Sequence, residues 1–330
     1  MSTEFKALVV EKNEDGSFSR SIKNRNLADL PEGNVLVRVQ YSSLNYKDAL
    51  SATGSPGVSR NFPHTPGIDA VGVVEQSQSE HFAVGDEVIV TSYDLGMNTA
   101  GGLGQYIRVP DSWVLKRPNQ LSAQEAMTFG TAGLTAGLMV NALLESGLTP
   151  ESGPVLVTGA TGGVGSVAIA ILAKLGFTVT AASGKADAHD FLTSLGASEV
   201  IDRATLLDNS RPMFKTIWAG VVDVVGGDTL SNAIKSCKYN GVVTCSGLVS
   251  ATDFTTSVFP FILRGVRLIG IDSVECDMAV RTAAWQKLAT DFKTDKLDEL
   301  TKEIALEEAE AHLLKMLEGK SHGRVIVNMA

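Results

Sequence analysis

Residues 154–165 read Pro154-Val155-Leu156-Val157-Thr158-Gly159-Ala160-Thr161-Gly162-Gly163-Val164-Gly165, and this stretch decides the fold. Its apolar, β-branched beginning predicts a buried strand of a parallel sheet, and the apolar residues 166–176 predict a helix that ends at a glycine. The spacing Ala160-x-Gly162-x-x-Gly165 is the dinucleotide fingerprint with its first glycine replaced by alanine. The helix N-terminus then offers amide donors to a pyrophosphate. The stretch predicts a nucleotide-binding βαβ unit in preference to a merely tight strand–helix turn.

The composition is typical of a globular protein with two domains. The chain has 330 residues, which exceeds the usual size of a domain with a single core. Its content of 44% hydrophobic and 20% charged residues is ordinary for a globular protein. The net charge of −9 argues against a nucleic-acid partner. No uninterrupted run of about 18 apolar residues occurs, and residues 1–6 hold no apolar signal core, so no membrane association is expected. Cys237, Cys245 and Cys276 lack metal-type spacing and fit a reducing, cytoplasmic setting.

The order of predicted elements gives an α/β fold with two parts. The first 120 residues contain several short strands between Gly and Asp turns, which predicts a compact β barrel or sandwich. From Pro154 to Asp272, six strands alternate with helices, which predicts a Rossmann-type doubly wound parallel sheet. Two helices and a closing strand follow, and we expect this tail to return to the first part. The predicted domains are residues 1–123 completed by 295–330, and residues 124–294.

The segment after the second predicted Rossmann strand indicates which dinucleotide binds. An acidic residue at this place would bind the ribose 2′-hydroxyl of NAD, whereas this chain has Ser183-Gly184-Lys185 and no carboxylate before Asp187. A hydroxyl and an ammonium group would bind a 2′-phosphate, so NADPH is the predicted cofactor. Arg203 follows the next strand end and could reach the same phosphate. The alternatives are a solvated lysine in a turn for Lys185 and a surface ion pair for Arg203.

The chain resembles the medium-chain dehydrogenases/reductases, specifically the zinc-free, quinone-oxidoreductase-like members. The matching segments are Ser43-Leu44-Asn45-Tyr46-Lys47-Asp48, Pro66-Gly67-Ile68-Asp69, Val84-Gly85-Asp86-Glu87-Val88, Gly130-Thr131-Ala132-Gly133-Leu134-Thr135-Ala136 and the Ala160–Gly165 turn. Within that family the acrylyl-CoA reductase branch is similar at Arg60-Asn61-Phe62-Pro63, Ser183-Gly184-Lys185, Pro260-Phe261-Ile262-Leu263-Arg264 and Val266-Arg267-Leu268-Ile269-Gly270-Ile271-Asp272-Ser273. One departure is Lys185, where close relatives tend to have arginine.

The resemblance implies a barrel-like, GroES-like catalytic domain and a Rossmann domain, with the nicotinamide in the cleft between them. It also implies a homodimer in which matching last strands of the sheet pair. Zinc-dependent relatives carry a Cys and a His-Glu pair where this chain has the Asn45 region and Ile68-Asp69, so no metal is expected. The implied NADPH contacts are Tyr46, Thr161, Gly162, Gly163, Val164, Ser183, Gly184, Lys185, Arg203, Leu248, Ile262 and Ser273. To these the fingerprint adds Ala160 and Gly165.

Thr135 is a further candidate beside the nicotinamide, although a helix-interior threonine bonded to its own backbone is an equal alternative. The five histidines, at positions 64, 81, 189, 312 and 322, show no triad arrangement and are expected on the surface or in loops. Only His64 lies near the predicted site. A CoA thioester would need cations for its phosphates, and these are predicted to be Lys47, Arg60 and Arg264, with Arg267 as a further candidate. Each of them could instead be a solvated surface charge.

An NADPH enzyme without a metal suits conjugate reduction of an activated alkene, and the family branch makes acrylyl-CoA the expected substrate. The predicted catalytic residues are Asn45, Tyr46 and Asp69. Asn45 would be an amide donor, and Asp69 would orient the proton relay. Tyr46 is assigned first to cofactor contact and second to proton donation. The equal alternative for Asp69 is a side chain that only caps the backbone after the Pro-Gly turn. The alternative functions are a quinone reductase and a non-catalytic NADPH-binding protein.

Overall fold

The computed structural model describes residues 3–330, so Met1 and Ser2 of the segment examined for an export signal lie outside the description. The strands are β1 (Glu4–Lys12), β2 (Phe18–Asn26), β3 (Val35–Ser43), β4 (Asp69–Ser77), β5 (Glu87–Thr91), β6 (Tyr106–Val109), β7 (Val114–Lys116), β8 (Val155–Val157), β9 (Val179–Ser183), β10 (Glu199–Asp202), β11 (Trp218–Asp223), β12 (Cys237–Cys245), β13 (Arg267–Gly270), β14 (Thr301–Ala305) and β15 (Arg324–Asn328). The helices are α1 (Tyr46–Ala52), α2 (Ala123–Glu145), α3 (Gly163–Lys174), α4 (His189–Ser194), α5 (Gly227–Lys235), α6 (Phe259–Arg264), α7 (Met278–Ala289), α8 (Leu297–Leu300) and α9 (Ala309–Leu317).

The strand of the fingerprint lies inside a six-stranded sheet with the order β10-β9-β8-β11-β12-β13. All neighbouring strands in it are parallel, and β8 pairs with β9 on one side and β11 on the other. Counted along the chain this order is 3-2-1-4-5-6, the doubly wound dinucleotide-binding topology. Val155, Leu156 and Val157 are all 0% exposed, because a strand buried on both faces must be apolar throughout. The predicted Rossmann sheet is confirmed.

The β-rich part forms a second, seven-stranded sheet. Its order is β14-β15-β3-β4-β5-β7, and β6 also pairs with β3. The C-terminal strand β15 pairs antiparallel with β3, with Ile326 opposite Ser43. Strands β1 and β2 form a separate hairpin in which Glu4 lies opposite Asn26. Strands β2, β7 and β14 are not predicted from the sequence, because β2 and β14 are mostly polar and β7 has only three residues.

Two units are compact in the structure. The first contains the described residues up to Thr131 together with Val274–Ala289 and Thr301–Ala330, and the second contains Ala132–Ser273 and Thr290–Leu300. This division falls within α2, between Thr131 and Ala132. The sequence-based domains, residues 1–123 with 295–330 and residues 124–294, stay a prediction.

Helix α2 is kinked at Gly130, whose backbone angles are φ 52° and ψ −156°. A Cβ atom there would lie 2.4 Å from Asp69 Oδ2 and 2.6 Å from Ser43 Oγ, so only glycine allows this close approach. With 23 residues the helix is long and apolar enough to cross a membrane by those two criteria alone. However, 78% of its apolar window is buried inside the protein, which is typical of a core helix.

Candidate functional site

The dinucleotide turn of the second unit is built on glycines. The N–H of Gly162 donates to Gly159 O at 2.9 Å, and α3 begins at the next residue. A Cβ at Gly165 would lie 2.4 Å from Gly159 O and 2.9 Å from the Cα of Ala160. Glycine is therefore required at Gly165 for the turn to lie against the helix. The first turn of α3 leaves its N–H groups directed at the space a pyrophosphate would fill, so this backbone fits the dinucleotide.

Gly159 makes the tight turn that the fingerprint assigns to its first glycine. The fingerprint has alanine at its first position, and Ala160 is fully buried. Gly159 instead adopts φ +57°, and a Cβ there would meet Val224 Cγ2 at 2.5 Å. The tight turn is thus made one residue earlier than the motif predicts.

The turn after β9 brings together the residues predicted to bind a 2′-phosphate. The N–H of Lys185 donates to Ser183 Oγ at 3.1 Å. A Cβ at Gly184 would lie 2.5 Å from Arg203 Nε, so the guanidinium of Arg203 packs directly on the glycine backbone. Partial burial lowers the pKa of Lys185, and the positive charge of Arg203 adds to this effect while Asp187 opposes it. One hydroxyl and two cations therefore share this turn, which suits a phosphate dianion.

The other predicted cofactor residues are distributed more widely. Thr135 and Ser273 are both buried, and their hydroxyl oxygens lie 2.7 Å apart. Leu248 and Ile262 are 65% and 69% exposed, which is unusual for large apolar side chains. Tyr46 belongs to the first unit, is the first residue of α1, and is 48% exposed. The cofactor role of each of these residues stays a prediction.

The first unit contains a buried carboxylate centre at Asp69, the first residue of β4. Asp69 Oδ2 accepts hydrogen bonds from Ser43 Oγ at 2.5 Å and from Asn45 Nδ2 at 2.8 Å. Its Oδ1 accepts from Thr131 Oγ1 at 2.5 Å, and the Thr131 N–H lies 3.0 Å from each oxygen. Asp69 is 0% exposed. It therefore does much more than cap the backbone after the Pro-Gly turn.

Arg324 is the cation of this centre. Its Nη2 lies 3.8 Å from Asp69 Oδ2 and donates to Ser43 Oγ at 2.8 Å. Its Nη1 donates to Asn45 Oδ1 at 3.3 Å. Burial lowers the pKa of Arg324, while the nearby carboxylates of Asp69 and Asp48 oppose that shift. A charged group is costly to bury without a partner of opposite charge, and Arg324 and Asp69 serve each other in this way.

Asp48 is a second buried carboxylate in the same centre. Its Oδ1 accepts from the Ile68 N–H and its Oδ2 from the Asn45 N–H, each at 2.8 Å. Burial raises the pKa of Asp48 to about 7, and the negative charge of Asp69 raises it further against those hydrogen bonds. Asp48 therefore titrates near neutral pH, because it is buried beside a second carboxylate.

The amide of Asn45 is fixed within this network. Nδ2 lies 2.8 Å from Asp69 Oδ2 and 3.3 Å from Ser43 O, while Oδ1 faces Arg324. Both amide hydrogens therefore already have acceptors, so donation to a substrate oxygen requires that Asn45 release the Ser43 carbonyl. The catalytic roles of Asn45, Tyr46 and Asp69 stay predictions.

The predicted substrate cations differ in their surroundings. Arg264 donates to the backbone carbonyls of Lys235, Cys237 and Phe214 at 2.7–3.1 Å, which gives it a structural role in the second unit. Arg267 donates to Ser146 O at 2.8 Å. Lys47 is half-buried and Arg60 is exposed, and both belong to the first unit. The geometry supports Lys47 and Arg60 as phosphate ligands better than Arg264, and all three assignments stay predictions.

His64 lies in a loop, one of the two positions expected for the histidines, but it is buried and not on the surface. His64 is 5% exposed, its Nε2 lies 2.8 Å from Gly96 O, and its backbone pairs with Val10. Burial lowers the pKa of His64. The residue is buried because this bridge holds its loop against β1, and it has a structural hydrogen bond of its own.

Five residues of the carboxylate centre were not singled out from the sequence, namely Ser43, Asp48, Gly130, Thr131 and Arg324. Four of them lie inside the quoted family segments. Arg324 had a signal of its own, because a charged residue opening the apolar run Val325-Ile326-Val327 is unusual in a buried strand. Within residues 3–330, no group of three or more His, Cys, Asp or Glu side chains is arranged to hold a metal ion.

Comparisons with protein families match two segments of the chain. Residues 31–119 match the family described as "Alcohol dehydrogenase GroES-like domain". Residues 163–291 match the family described as "Zinc-binding dehydrogenase".

Curated relatives match the chain over its whole length. A protein of Bacillus subtilis named "Putative quinone oxidoreductase YhfP" is 46% identical over 331 residues, 100% of both chains. The acrylyl-CoA reductase AcuI of Ruegeria pomeroyi is 44% identical over 327 residues, 98% of this chain and 99% of that protein.

Solved structures match equally well. The YhdH oxidoreductase of Salmonella enterica in complex with NADP has a TM-score of 0.96 and 41% identity, covering 98% of this chain and all of that one. The Bacillus subtilis protein YhfP with NAD bound has a TM-score of 0.96 and 46% identity, covering 99% of this chain and all of that one.

Proposed function

The chain belongs to the medium-chain dehydrogenase/reductase superfamily, and from that membership we propose that it uses NADPH to reduce an activated carbon–carbon double bond, with acrylyl-CoA as the substrate. It is an oxidoreductase of the group that contains the acrylyl-CoA reductase and quinone oxidoreductase relatives. The 44% identity with an acrylyl-CoA reductase over nearly the whole of both chains supports this substrate.

The observation that carries the cofactor assignment is the cluster of Ser183, Lys185 and Arg203 around one turn. Relatives at similar identity have been crystallised with NADP and with NAD, so resemblance alone leaves the choice open. A 2′-phosphate needs donors and positive charge, whereas a 2′-hydroxyl needs a carboxylate acceptor. The turn has the former, because Arg203 packs on Gly184 directly beside Lys185.

Each part of the chain has a distinct task in this reaction. The backbone from Gly162 to Gly165 and the start of α3 would hold the pyrophosphate, and the paired hydroxyls of Thr135 and Ser273 would contact the nicotinamide side. When bound, NADPH supplies a hydride to the β-carbon of the alkene. The acceptor carbonyl then needs a hydrogen-bond donor, and the α-carbon needs a proton.

The first unit supplies these donors. Asp69 and Arg324 hold the Asn45 amide in one orientation, and the N–H that now faces Ser43 O would turn to the acceptor oxygen when charge develops there. Tyr46 follows directly and is 48% exposed, which leaves its phenol available to the nicotinamide or as a proton donor. Burial raises the pKa of Asp48 to about 7, and this carboxyl group acts on Asn45 by accepting from its backbone N–H.

The cations Lys47 and Arg60 test the acyl-CoA assignment. Each exposed phosphate contact contributes on the order of 0.2–1 kcal/mol and weakens as salt rises. The double change Lys47→Ala with Arg60→Ala should raise the KM for acrylyl-CoA and leave a small uncharged enone and NADPH affinity unchanged. The matched control is Lys6→Ala with Lys23→Ala, which removes two cations that face Glu307 and Glu11.

The alternative substrate is a quinone, because the relative that is 46% identical is named a putative quinone oxidoreductase. A planar neutral acceptor would not need Lys47 or Arg60, so equal losses with both substrates would contradict the acyl-CoA assignment.

Three further features belong to this proposal. The enzyme acts in the cytoplasm, it is a homodimer that pairs through the edge strand β13, and its catalysis is independent of zinc. Cys237, Cys245 and Cys276 form no disulfide with one another, which supports the first of these.

A further inference from the structure

We propose that Asp223 is a positioning residue for the dinucleotide, which sets the distance between the phosphate-binding turn and the loop that carries Leu248. The inference rests on the proposed function, because NADPH is the ligand that needs both segments. Asp223 is the last residue of β11 and lies between the ends of β8 and β12 in the sheet. Asp223 is not among the residues predicted to contact NADPH, so it would act on the cofactor through the residues that it positions.

One side of Asp223 holds the phosphate-binding turn. The hydroxyl of Thr158, the residue before Gly159, donates to Asp223 Oδ1 at 2.7 Å and accepts from the Val224 N–H at 3.1 Å. The side chain of Val224 then fills the space that a Cβ at Gly159 would need. The position of Gly159, and with it the start of the turn, is therefore fixed by residues 223 and 224.

The other side of the same segment holds the Leu248 loop through backbone contacts. The Ser246 N–H donates to Asp223 O at 3.1 Å, and the Ser250 N–H donates to Val225 O at 2.9 Å. A Cβ at Gly247 would lie 2.0 Å from Val224 O, so the two segments lie in direct backbone contact. Leu248 is 65% exposed at the outer end of this loop.

The carboxylate of Asp223 makes the segment rigid. Asp223 is 0% exposed, and its Oδ2 accepts from the Gly226 N–H at 2.8 Å. Burial raises the pKa of Asp223, against the hydrogen bonds from Thr158 and the backbone. A capping role before α5 would need only the Gly226 contact. The contact with Thr158 is what ties the cap to the phosphate-binding turn.

The test compares the Kd of NADPH with the Kd of 2′,5′-ADP, which represents only part of that cofactor. NADPH needs both the turn and the Leu248 loop, whereas 2′,5′-ADP reaches only the turn and the Ser183–Lys185 segment. In Asp223→Asn, one carboxylate oxygen becomes an NH₂ group, which cannot accept a hydrogen bond. Either the Thr158 hydroxyl or the Gly226 N–H therefore loses its acceptor. We expect the Kd of NADPH, measured by fluorescence titration, to rise about 10-fold and the Kd of 2′,5′-ADP to change less than about 2-fold.

Further variants keep the test decisive if Asp223→Asn does not fold. Thr158→Val keeps the shape of residue 158 and removes its hydroxyl, and it should reproduce the selective loss, whereas Thr158→Ser should restore binding. Lys185→Ala is the matched control and should weaken both ligands. Equal losses for NADPH and 2′,5′-ADP in Asp223→Asn and Thr158→Val, or no loss for NADPH, would overturn the inference. If the wild-type chain binds no NADPH, the proposed function itself fails.

Discussion

The buried carboxylate of Asp48 predicts a specific dependence of stability on pH. Its pKa is about 7 in the folded protein, against an ordinary value of 3.8. Because folding raises this pKa, Asp48 stabilises the fold fully below about pH 4, and this contribution is lost as the pH rises to about 7. A difference of roughly 3 pH units corresponds to about 4 kcal/mol of unfolding free energy for this one group.

Asp48→Asn removes this dependence and adds a constant cost. The N–H groups of Ile68 and Asn45 each donate to one carboxylate oxygen, and an amide supplies only one acceptor. One buried donor then faces an NH₂ group, which costs about 1–3 kcal/mol at every pH. The variant should therefore be less stable than the wild type at pH 5 and close to it, or more stable, at pH 8.

Urea denaturation at several pH values between 5 and 8 measures the effect, followed by the fluorescence of Trp113 and Trp285 in the first unit. The difference between wild type and Asp48→Asn should change by about 3 kcal/mol over that range. Asp15→Asn is the control. Hydrogen bonds from Ser17 lower the pKa of the exposed Asp15, so its contribution is lost only as the pH falls below about 4. A difference between wild type and Asp48→Asn that stays constant from pH 5 to 8 would refute the assignment of a neutral-pH proton to Asp48.

Lys185→Ala should weaken NADPH binding about 10- to 150-fold through loss of a charge-assisted contact and leave NADH nearly unchanged, as isothermal titration would show. Gly165→Ala places a Cβ 2.4 Å from Gly159 O, so NADPH affinity should fall at least about 10-fold while the fold persists by circular dichroism. Arg324→Met leaves Asp69 buried without its cation and should lower the unfolding free energy by about 3–5 kcal/mol in a urea titration. Dialysis against a strong chelator should leave the activity unchanged, and activity lost together with one zinc per chain would contradict zinc independence.

The sequence predicts the Rossmann part of this fold well, because its signals are local. The apolar run from Val155 to Val157 can only be a buried strand, and the spacing of Gly162 and Gly165 specifies a close strand–helix turn. Ser183 and Lys185 are similarly informative, because the residue that recognises the 2′-position follows the second strand at a fixed distance.

The carboxylate centre could not be predicted in this way. Ser43, Asp69 and Arg324 are far apart in the sequence, and the pairing of β15 with β3 and of β3 with β4 brings their strands together. Thr131 joins them from α2, directly after the kink at Gly130. A local pattern also cannot show that the guanidinium of Arg264 is taken up by three backbone carbonyls. Side chains whose partners come from distant segments look like free charges in a sequence.

The measurement that tests the central claim most directly is the steady-state kcat/KM for four combinations, NADPH or NADH with acrylyl-CoA or a simple benzoquinone. We predict that NADPH with acrylyl-CoA is the most efficient combination, because Ser183, Lys185 and Arg203 are proposed to bind the 2′-phosphate and Lys47 and Arg60 to bind the phosphates of a CoA thioester. Equal efficiency with NADH and NADPH, or faster reduction of the quinone than of acrylyl-CoA, would contradict it.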